Sequence, residues 1–274
     1  MHSAKVERFC LMTDIEGVAG VVTHSAHSAS NGIYYEECKR LLTAEVNAAV
    51  EGLLAVGVKD ILVIDGHGPG GIHFESLHPA ARLLHGRPIY FPQMLSPIWD
   101  YDAFGIIGQH AMAGVRTGNQ NHTLDSRRID SIKLNGSPIG EIRIVGLWAG
   151  ARNVPLIFLS GDQAGCEEAA KEQPNIVTAA VKQGISTNTE ITLSATAARQ
   201  LIREQIQKAV TAHRLDPLPP IKAEPPYRLE IRWKSTQDAD ASEHQTGCLR
   251  VDDQTVAYES TDILDVLNNR HRPQ

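Results

Sequence analysis

The amino-acid sequence predicts an α/β protein with a mainly parallel sheet, helices on both faces, and a smaller C-terminal α+β domain. Two observations predict this. Over the first two thirds of the chain, short apolar runs that end in Asp, Gly or His alternate with helix-like stretches. This alternation is typical of a parallel sheet covered on both faces. After a proline-rich break the pattern changes to segments that alternate like surface strands.

The elements of the first part follow from apolar periodicity. Residues 35–56 predict a helix, because Leu42, Val46 and Leu53 fall on one stripe. Residues 60–64 predict a buried strand that stops at a polar Asp-Gly-His-Gly segment. The other predicted strands are 9–13, 105–107, 142–147 and 156–159, and the other predicted helices are 163–172 and 195–213.

The composition break lies at residues 216–220 and 224–226, which contain five prolines. Beyond it, residues 227–233 and 251–258 predict strands, and residues 261–268 predict a closing helix. We therefore expect one α/β domain over residues 1–188 and a smaller α+β domain over residues 189–274, whose own helix starts near Thr189.

Bulk properties exclude several classes of protein. The net charge of −6 and the absence of a dense Lys/Arg run argue against a nucleic-acid partner. The sequence contains no run of about 18 apolar residues, so we expect no membrane-spanning helix. The four cysteines are scattered without a CxxC pair, which is typical of reduced thiols in a cytosolic protein. We expect a cytoplasmic protein with neither nucleic-acid nor membrane partners.

Two predicted strands end in polar residues with a spacing of two. In extended backbone Asp14 and Glu16 point to the same face, and so do Asp65 and His67. Ligand sites of open parallel sheets lie beyond the carboxyl ends of the strands. Carboxylate and imidazole together suit zinc, manganese or cobalt. A plain turn is the other interpretation of Asp65-Gly66-His67-Gly68, since Asp and Gly are turn formers.

Three further polar residues are candidates. His110 closes a glycine-flanked apolar segment, and His122 lies in the polar loop at 117–123. Glu141 precedes the predicted strand at 142–147. Loops and strand ends often line sites, but surface exposure is the ordinary explanation of each residue alone.

Several ordered motifs resemble the M55 family of D-aminopeptidases. They are Asp14-Ile15-Glu16-Gly17, Asp65-Gly66-His67, Leu77-His78-Pro79, Gly108-Gln109-His110-Ala111, Gly140-Glu141, Gly161-Asp162 and the stretch 174–183. The resemblance covers residues 10–186 well, and the C-terminal third is similar more loosely.

The resemblance implies a dinuclear zinc aminopeptidase that hydrolyses short peptides, including those with D-amino acids. Asp14 would bridge both ions, Glu16 and His67 would complete one site, and His110 and Glu141 the other. His122 would be the catalytic histidine, as a nucleophile or in proton transfer. We also expect Asp65 to orient His67, as carboxylates often do for ligating imidazoles. A ring-like homodecamer enclosing the sites is implied as well.

Two other functions stay open at this point. A haloacid-dehalogenase-like, magnesium-dependent phosphohydrolase also begins with an acidic strand end, and residues 156–162 are similar to its late acidic motif. That interpretation leaves His67, His110 and Glu141 without a role. The other is a non-catalytic α/β binding protein, which predicts no tightly bound metal. Metal analysis distinguishes the three hypotheses.

Overall fold

The computed structural model of the protein describes residues 5–87 and 91–269. The strands β1 to β12 span, in order, Arg8–Thr13, Asp60–Asp65, Ala81–Leu84, Ala103–Gln109, Ile129–Leu134, Ser137–Pro138, Leu156–Asp162, Val177–Ser186, Thr189–Thr192, Tyr227–Trp233, Cys248–Arg250 and Thr255–Ser260. The helices α1 to α7 span, in order, Tyr35–Ala55, Phe91–Leu95, Glu141–Gly150, Gln163–Glu172, Ala195–Leu215, Thr236–Glu243 and Ile263–Asn269.

The larger sheet has seven strands in the order β3-β2-β1-β4-β7-β8-β9. All neighbours are parallel except β8 and β9, which pair antiparallel. The chain builds outward from β1 to β3, then crosses back to place β4 on the other side of β1. The order of the strands therefore reverses between β1 and β4, and a crevice opens at their carboxyl ends.

Helices cover both faces of this sheet. On one face α1 and α5 pack on each other and on β1 and β7, through residues such as Leu42, Val46 and Ile202. On the other face α3 and α4 pack on the sheet with Trp148 and Ala169 in the core. The α/β class with a mainly parallel sheet is confirmed. Among the described residues, no helix has the length and apolar character needed to cross a bilayer.

A second sheet of five strands has the order β11-β12-β10-β5-β6 and is antiparallel. Its buried side carries Leu229, Ile231 and Ile132, which belong to the same core as α3 of the larger sheet. The chain leaves the larger sheet after β4, forms β5 and β6, and returns to it through α3. One apolar core thus holds the small sheet against one face of the large one.

The division between the sheets does not coincide with a boundary at residue 188. Strand β9 and helix α5 lie beyond that residue but belong to the larger sheet and its covering layer. Strands β5 and β6 lie before it and belong to the smaller sheet. Whether the segments 1–188 and 189–274 behave as separate domains stays a prediction.

One predicted strand was wrong. Residues 142–147 lie in helix α3 rather than in a strand. The segment from Ile144 to Gly150 is buried on every side, so its apolar residues show neither the helical period of 3.6 nor the strand period of two clearly. Gly146 and Gly150, four residues apart, both lie against Ile221, where a Cβ at either would lie within 2.6 Å of an Ile221 atom. This spacing places both glycines on one face of a helix.

Candidate metal centre

The crevice between β1 and β4 depends on two close backbone contacts. Gly17 N–H donates to the carbonyl of Gly108 at 2.8 Å, and Asp14 N–H donates to that of Ile107 at 2.8 Å. A Cβ at Gly17 would lie 2.1 Å from the carbonyl oxygen of Gln109. Gly108 has φ +77°, and a Cβ there would lie 2.2 Å from the carbonyl oxygen of Asp14. Only glycine lets the segments around Asp14 and Gln109 approach this closely.

Asp14, Glu16 and His67 meet on one side of the crevice. The Nδ1 atom of His67 lies 3.1 Å from Asp14 Oδ1 and 3.1 Å from Glu16 Oε2. All three residues are buried. The predicted convergence of the β1 and β2 ends is therefore present, because parallel neighbours bring their carboxyl ends to the same edge.

Asp14 also faces the other side of the crevice. Its Oδ2 atom lies 3.1 Å from His110 Nε2, which lies 3.5 Å from Glu141 Oε1. His110 directly follows β4, and Glu141 begins α3. Glu141 also accepts a hydrogen bond from Leu124 N–H at 2.7 Å. The two oxygens of one aspartate thus face two different histidines.

Each histidine of the crevice has one ring N–H committed to a backbone carbonyl. His67 Nε2 donates to Ser28 O at 2.9 Å, and His110 Nδ1 donates to Ala111 O at 2.8 Å. The other nitrogen of each neutral ring therefore turns a lone pair toward carboxylate oxygens. His110 Nε2 and Glu16 Oε2 are buried and have no hydrogen-bond partner in the part of the chain that the structure describes. A cation or a proton between these atoms is needed to make the arrangement favourable.

The pKa values follow from this crowding. Burial lowers the pKa of His67 and His110, but the carboxylates of Glu16, Glu141 and Asp14 outweigh it and raise the pKa of both well above 6.5. Burial raises the pKa of Glu141, but His110 outweighs it and brings the pKa to about 2. In the metal-free protein the imidazoles thus take protons where a cation would otherwise lie.

His122 completes the crevice from the loop between β4 and β5. Its ring stacks on the ring of His110 with 4.0 Å between centroids and 16° between planes. His122, His110 and Glu141 offer ligand atoms within 4.8 Å of one another, as do Asp14, Glu16 and His110. The structure therefore brings all six sequence-predicted site residues together: Asp14, Glu16, His67, His110, His122 and Glu141.

The predicted role of Asp65 was wrong. Its carboxylate accepts from the N–H groups of Gly71 and Ile72, and both ring nitrogens of His67 have other partners. Ser28 orients the ring of His67 instead, through its carbonyl. No motif points to Ser28, because its position depends on the path of a loop.

Two more polar groups lie behind the crevice, within motifs to which the sequence analysis assigned no role. The buried carboxylate of Asp162 accepts from Asn119 N–H at 3.1 Å and from Gly184 N–H at 3.0 Å. Lys182 is fully buried and donates to the carbonyl of Glu16. Alternation along β8 would place Lys182 on the face opposite the buried Ala179 and Val181, so the pattern of this strand does not indicate a buried lysine. The partner oxygens come from distant loops that no local pattern predicts.

Comparison with known proteins agrees with this geometry. The sequence model of the M55 peptidase family, described as D-aminopeptidase, matches residues 8–270. The chain belongs to this family. The resemblance and the prediction of an aminopeptidase are confirmed, and neither the phosphohydrolase nor the non-catalytic alternative is favoured.

A sequence comparison and a structural comparison show how far the similarity extends. A D-aminopeptidase of Bacillus subtilis (strain 168) is 28% identical over 261 residues, which cover 93% of this chain and 92% of that protein. Among solved structures, the Zn-dependent D-aminopeptidase DppA from Bacillus subtilis, described as a self-compartmentalizing protease, superposes with a TM-score of 0.88. That superposition covers 96% of this chain and 95% of the other, at 25% identity.

Proposed function

We propose that this M55 peptidase is a zinc-dependent aminopeptidase that removes the N-terminal residue from short peptides containing D-amino acids. Two zinc ions per chain would be held by Asp14, Glu16, His67, His110 and Glu141, with Asp14 shared between them. The zinc-dependent relative supports the choice of metal. Two overlapping groups, Asp14 with Glu16 and His110, and His110 with His122 and Glu141, each offer ligand atoms within 4.8 Å of one another, which supports metal binding in this crevice.

The orientation of the imidazoles carries the proposal. His67 and His110 both use their N–H groups on backbone carbonyls, so lone pairs face the two oxygens of Asp14 at 3.1 Å. Neutral nitrogen and carboxylate ligands of this kind bind zinc, and hydrogen bonds from the far ring nitrogen fix the ligating tautomer. Two buried carboxylates, Asp14 and Glu16, and the half-buried Glu141 in one crevice also need positive charge to compensate them.

The ligand count fits a shared arrangement. Five residues cannot fill two separate four-coordinate sites, so one carboxylate would contribute an oxygen to each ion. Asp14 is the residue whose two oxygens face different histidines. When bound here, zinc supplies Lewis acidity toward a water molecule and toward the scissile carbonyl.

His122 would move the proton of the reaction. Its Nδ1 atom donates to the carbonyl of Gln120 at 2.8 Å, so Nε2 is the atom available for proton transfer. The stacking on His110 holds this ring beside the predicted ligands. From that position Nε2 can deliver a proton to the amine that leaves when the amide bond breaks.

We further propose a cytoplasmic location and a large homo-oligomer, with the homodecamer of the family as the expected form. The four cysteines are all free, and three are buried, which agrees with a reducing compartment. The relative described as self-compartmentalizing supports assembly. Light scattering of the purified protein should then give a mass several times that of the 29.9 kDa chain.

Metal analysis combined with peptide hydrolysis tests the function. The purified protein should contain zinc, and it should release the N-terminal residue from a D-alanine dipeptide. Chelation should abolish this turnover, and added zinc should restore it. Magnesium as the only bound metal, with turnover of a phosphate ester, would support the phosphohydrolase instead. The absence of bound metal and of any hydrolysis would support a binding protein.

A further inference from the structure

Ser28 lies between the two halves of the crevice. It closes the single π-helical turn His24–Ser28 and is completely buried. Its carbonyl accepts from Nε2 of His67 at 2.9 Å. Its hydroxyl donates to Oε1 of Gln120 at 2.8 Å and lies 3.0 Å from Nδ1 of His24. One residue therefore contacts a predicted metal ligand through its main chain and the loop of His122 through its side chain.

Gln120 is held on every side. It is 4% exposed and has φ +52°, in the left-handed region that few non-glycine residues adopt. Its Nε2 donates to the carbonyl of Val21 at 3.0 Å, and its main-chain N–H donates to that of Thr187 at 2.9 Å. A strained conformation persists only where the surroundings determine it, and the bond from Ser28 is one of these restraints.

The carbonyl of Gln120 is the acceptor for Nδ1–H of His122. The position of this carbonyl sets the tautomer of the imidazole and the direction of its Nε2 atom. A continuous set of hydrogen bonds thus runs from the ring of His67 through Ser28 and Gln120 to the ring of His122.

We propose that Ser28 and Gln120 are positioning residues for proton transfer. They hold the ring of His122 in a fixed orientation relative to the side chain of His67, a proposed metal ligand. This inference rests on the proposed function, because it requires His122 to act in catalysis. Neither residue contacts the reacting atoms. Their effect is exerted through the orientation of the two imidazoles.

The Ser28→Ala variant removes the hydroxyl and leaves the carbonyl that accepts from His67. Loss of a positioned acid–base group costs about 10²–10⁴ in rate, and misplacing it should cost part of this, about tenfold in kcat, with little change in KM. Zinc content should stay at the wild-type level. Ser160→Ala is the matched control, because Ser160 is fully buried and its hydroxyl has no hydrogen-bond partner among the described residues.

A second variant tests whether the two residues act through one bond. Gln120→Met keeps the length of the side chain and removes its polar atoms. Ser28→Ala should therefore cost less in kcat when added to Gln120→Met than it costs in the wild-type chain. If Ser28→Ala lowers kcat by the same factor in both backgrounds, the two residues do not act through one hydrogen bond and the proposal is overturned. Thermal unfolding of each variant identifies any that lose activity through unfolding.

A measurement on the metal-free protein reads the ring of His122 directly. Trypsin should release residues 117–127, in which His122 is the single histidine. Acylation of this imidazole by diethyl pyrocarbonate, followed by mass spectrometry, should be faster in Ser28→Ala than in Ser160→Ala. Rates of acylation and kcat that are equal in both variants would overturn the proposal.

The His122→Ala variant separates this inference from the function on which it rests. If His122→Ala is inactive while Ser28→Ala behaves as the control does, the positioning role alone is wrong. If His122→Ala retains full turnover, the catalytic role of His122 is wrong, and the positioning role fails with it.

Discussion

The ammonium group of Lys182 is enclosed entirely by protein. It lies 2.9 Å from Glu190 Oε2, and both side chains are buried. It also donates to Asn119 Oδ1 at 2.9 Å and to the carbonyls of Val21 and Glu16. One charge on β8 thus joins the segment after β1, the loop of His122 and the edge strand β9.

The Lys182→Met variant should be strongly destabilised. Removing one partner of a buried ion pair leaves an uncompensated charge and costs about 3–5 kcal/mol. Within residues 5–87 and 91–269, neither oxygen of Glu190 has a hydrogen bond that could replace the ion pair, so its carboxylate would lose its partner. Guanidinium unfolding followed by tryptophan fluorescence, at one fixed protein concentration, measures the free energy of unfolding.

Two control variants test whether the loss of stability comes from the buried, unpaired charge. Lys39→Met removes a lysine whose partner Glu36 is largely exposed, so it should cost no more than about 1 kcal/mol. Adding Glu190→Gln to Lys182→Met removes the unpaired charge and should recover part of the loss. If Lys182→Met costs as little as Lys39→Met, the buried lysine does not hold these segments together.

Three other predictions concern the metal centre. Asp14→Ala should lower the zinc content more than Glu141→Ala, because Asp14 faces both histidines; near-normal zinc in the Asp14 variant would exclude the shared role. His122→Ala should keep its zinc and lose about 10²–10⁴ in turnover; loss of metal would make His122 a ligand. The raised pKa of His67 and His110 stabilises the metal-free protein fully below pH 6.5, and this contribution is lost as pH rises through their folded pKa. The denaturant midpoint of unfolding of the metal-free protein should therefore decrease as the pH is raised above 6.5, and zinc binding should release protons. A midpoint that does not change with pH, together with no proton release, would contradict the raised pKa values.

The positions of the site residues at the strand ends could be predicted from the local sequence pattern. Asp14, Glu16, His67 and His110 lie within three residues of the carboxyl ends of strands β1, β2 and β4, which are neighbours in one parallel sheet. The carboxyl ends of such strands meet at one edge, so neighbouring strands bring their terminal polar residues together. No knowledge of the loops is needed for this step.

Glu141 shows the limit of that reasoning. The resemblance implies a ligand role for Glu141, which stays a prediction, but the strand predicted after it is the helix α3. As the first residue of a helix, its carboxylate lies where the helix dipole favours negative charge. The signal available in the sequence is the preceding Gly140, whose backbone is extended and ends the segment from β6.

The residues that orient the site could not be predicted, because their partners come from segments distant in sequence. Ser28 contacts His67 and Gln120, which lie 39 and 92 residues away. Asp65 was the natural choice for the role of Ser28, since it lies two residues before His67. Yet its carboxylate caps the turn at Gly71 and Ile72. Spacing predicts which side chains share a face but not the hydrogen bonds they form there.

The small sheet explains why His122 and Glu141 nonetheless have fixed positions. Between His122 and Glu141 the chain forms β5 and β6, so both residues are attached to the small sheet at its boundary with the large one. Ile132 and Ile139 of this segment lie in one core with Trp148 of α3. Because that core is continuous with the face of the large sheet, the small sheet cannot shift without disturbing it. The geometry around His110 therefore depends on apolar packing between the sheets as much as on the polar residues of the crevice.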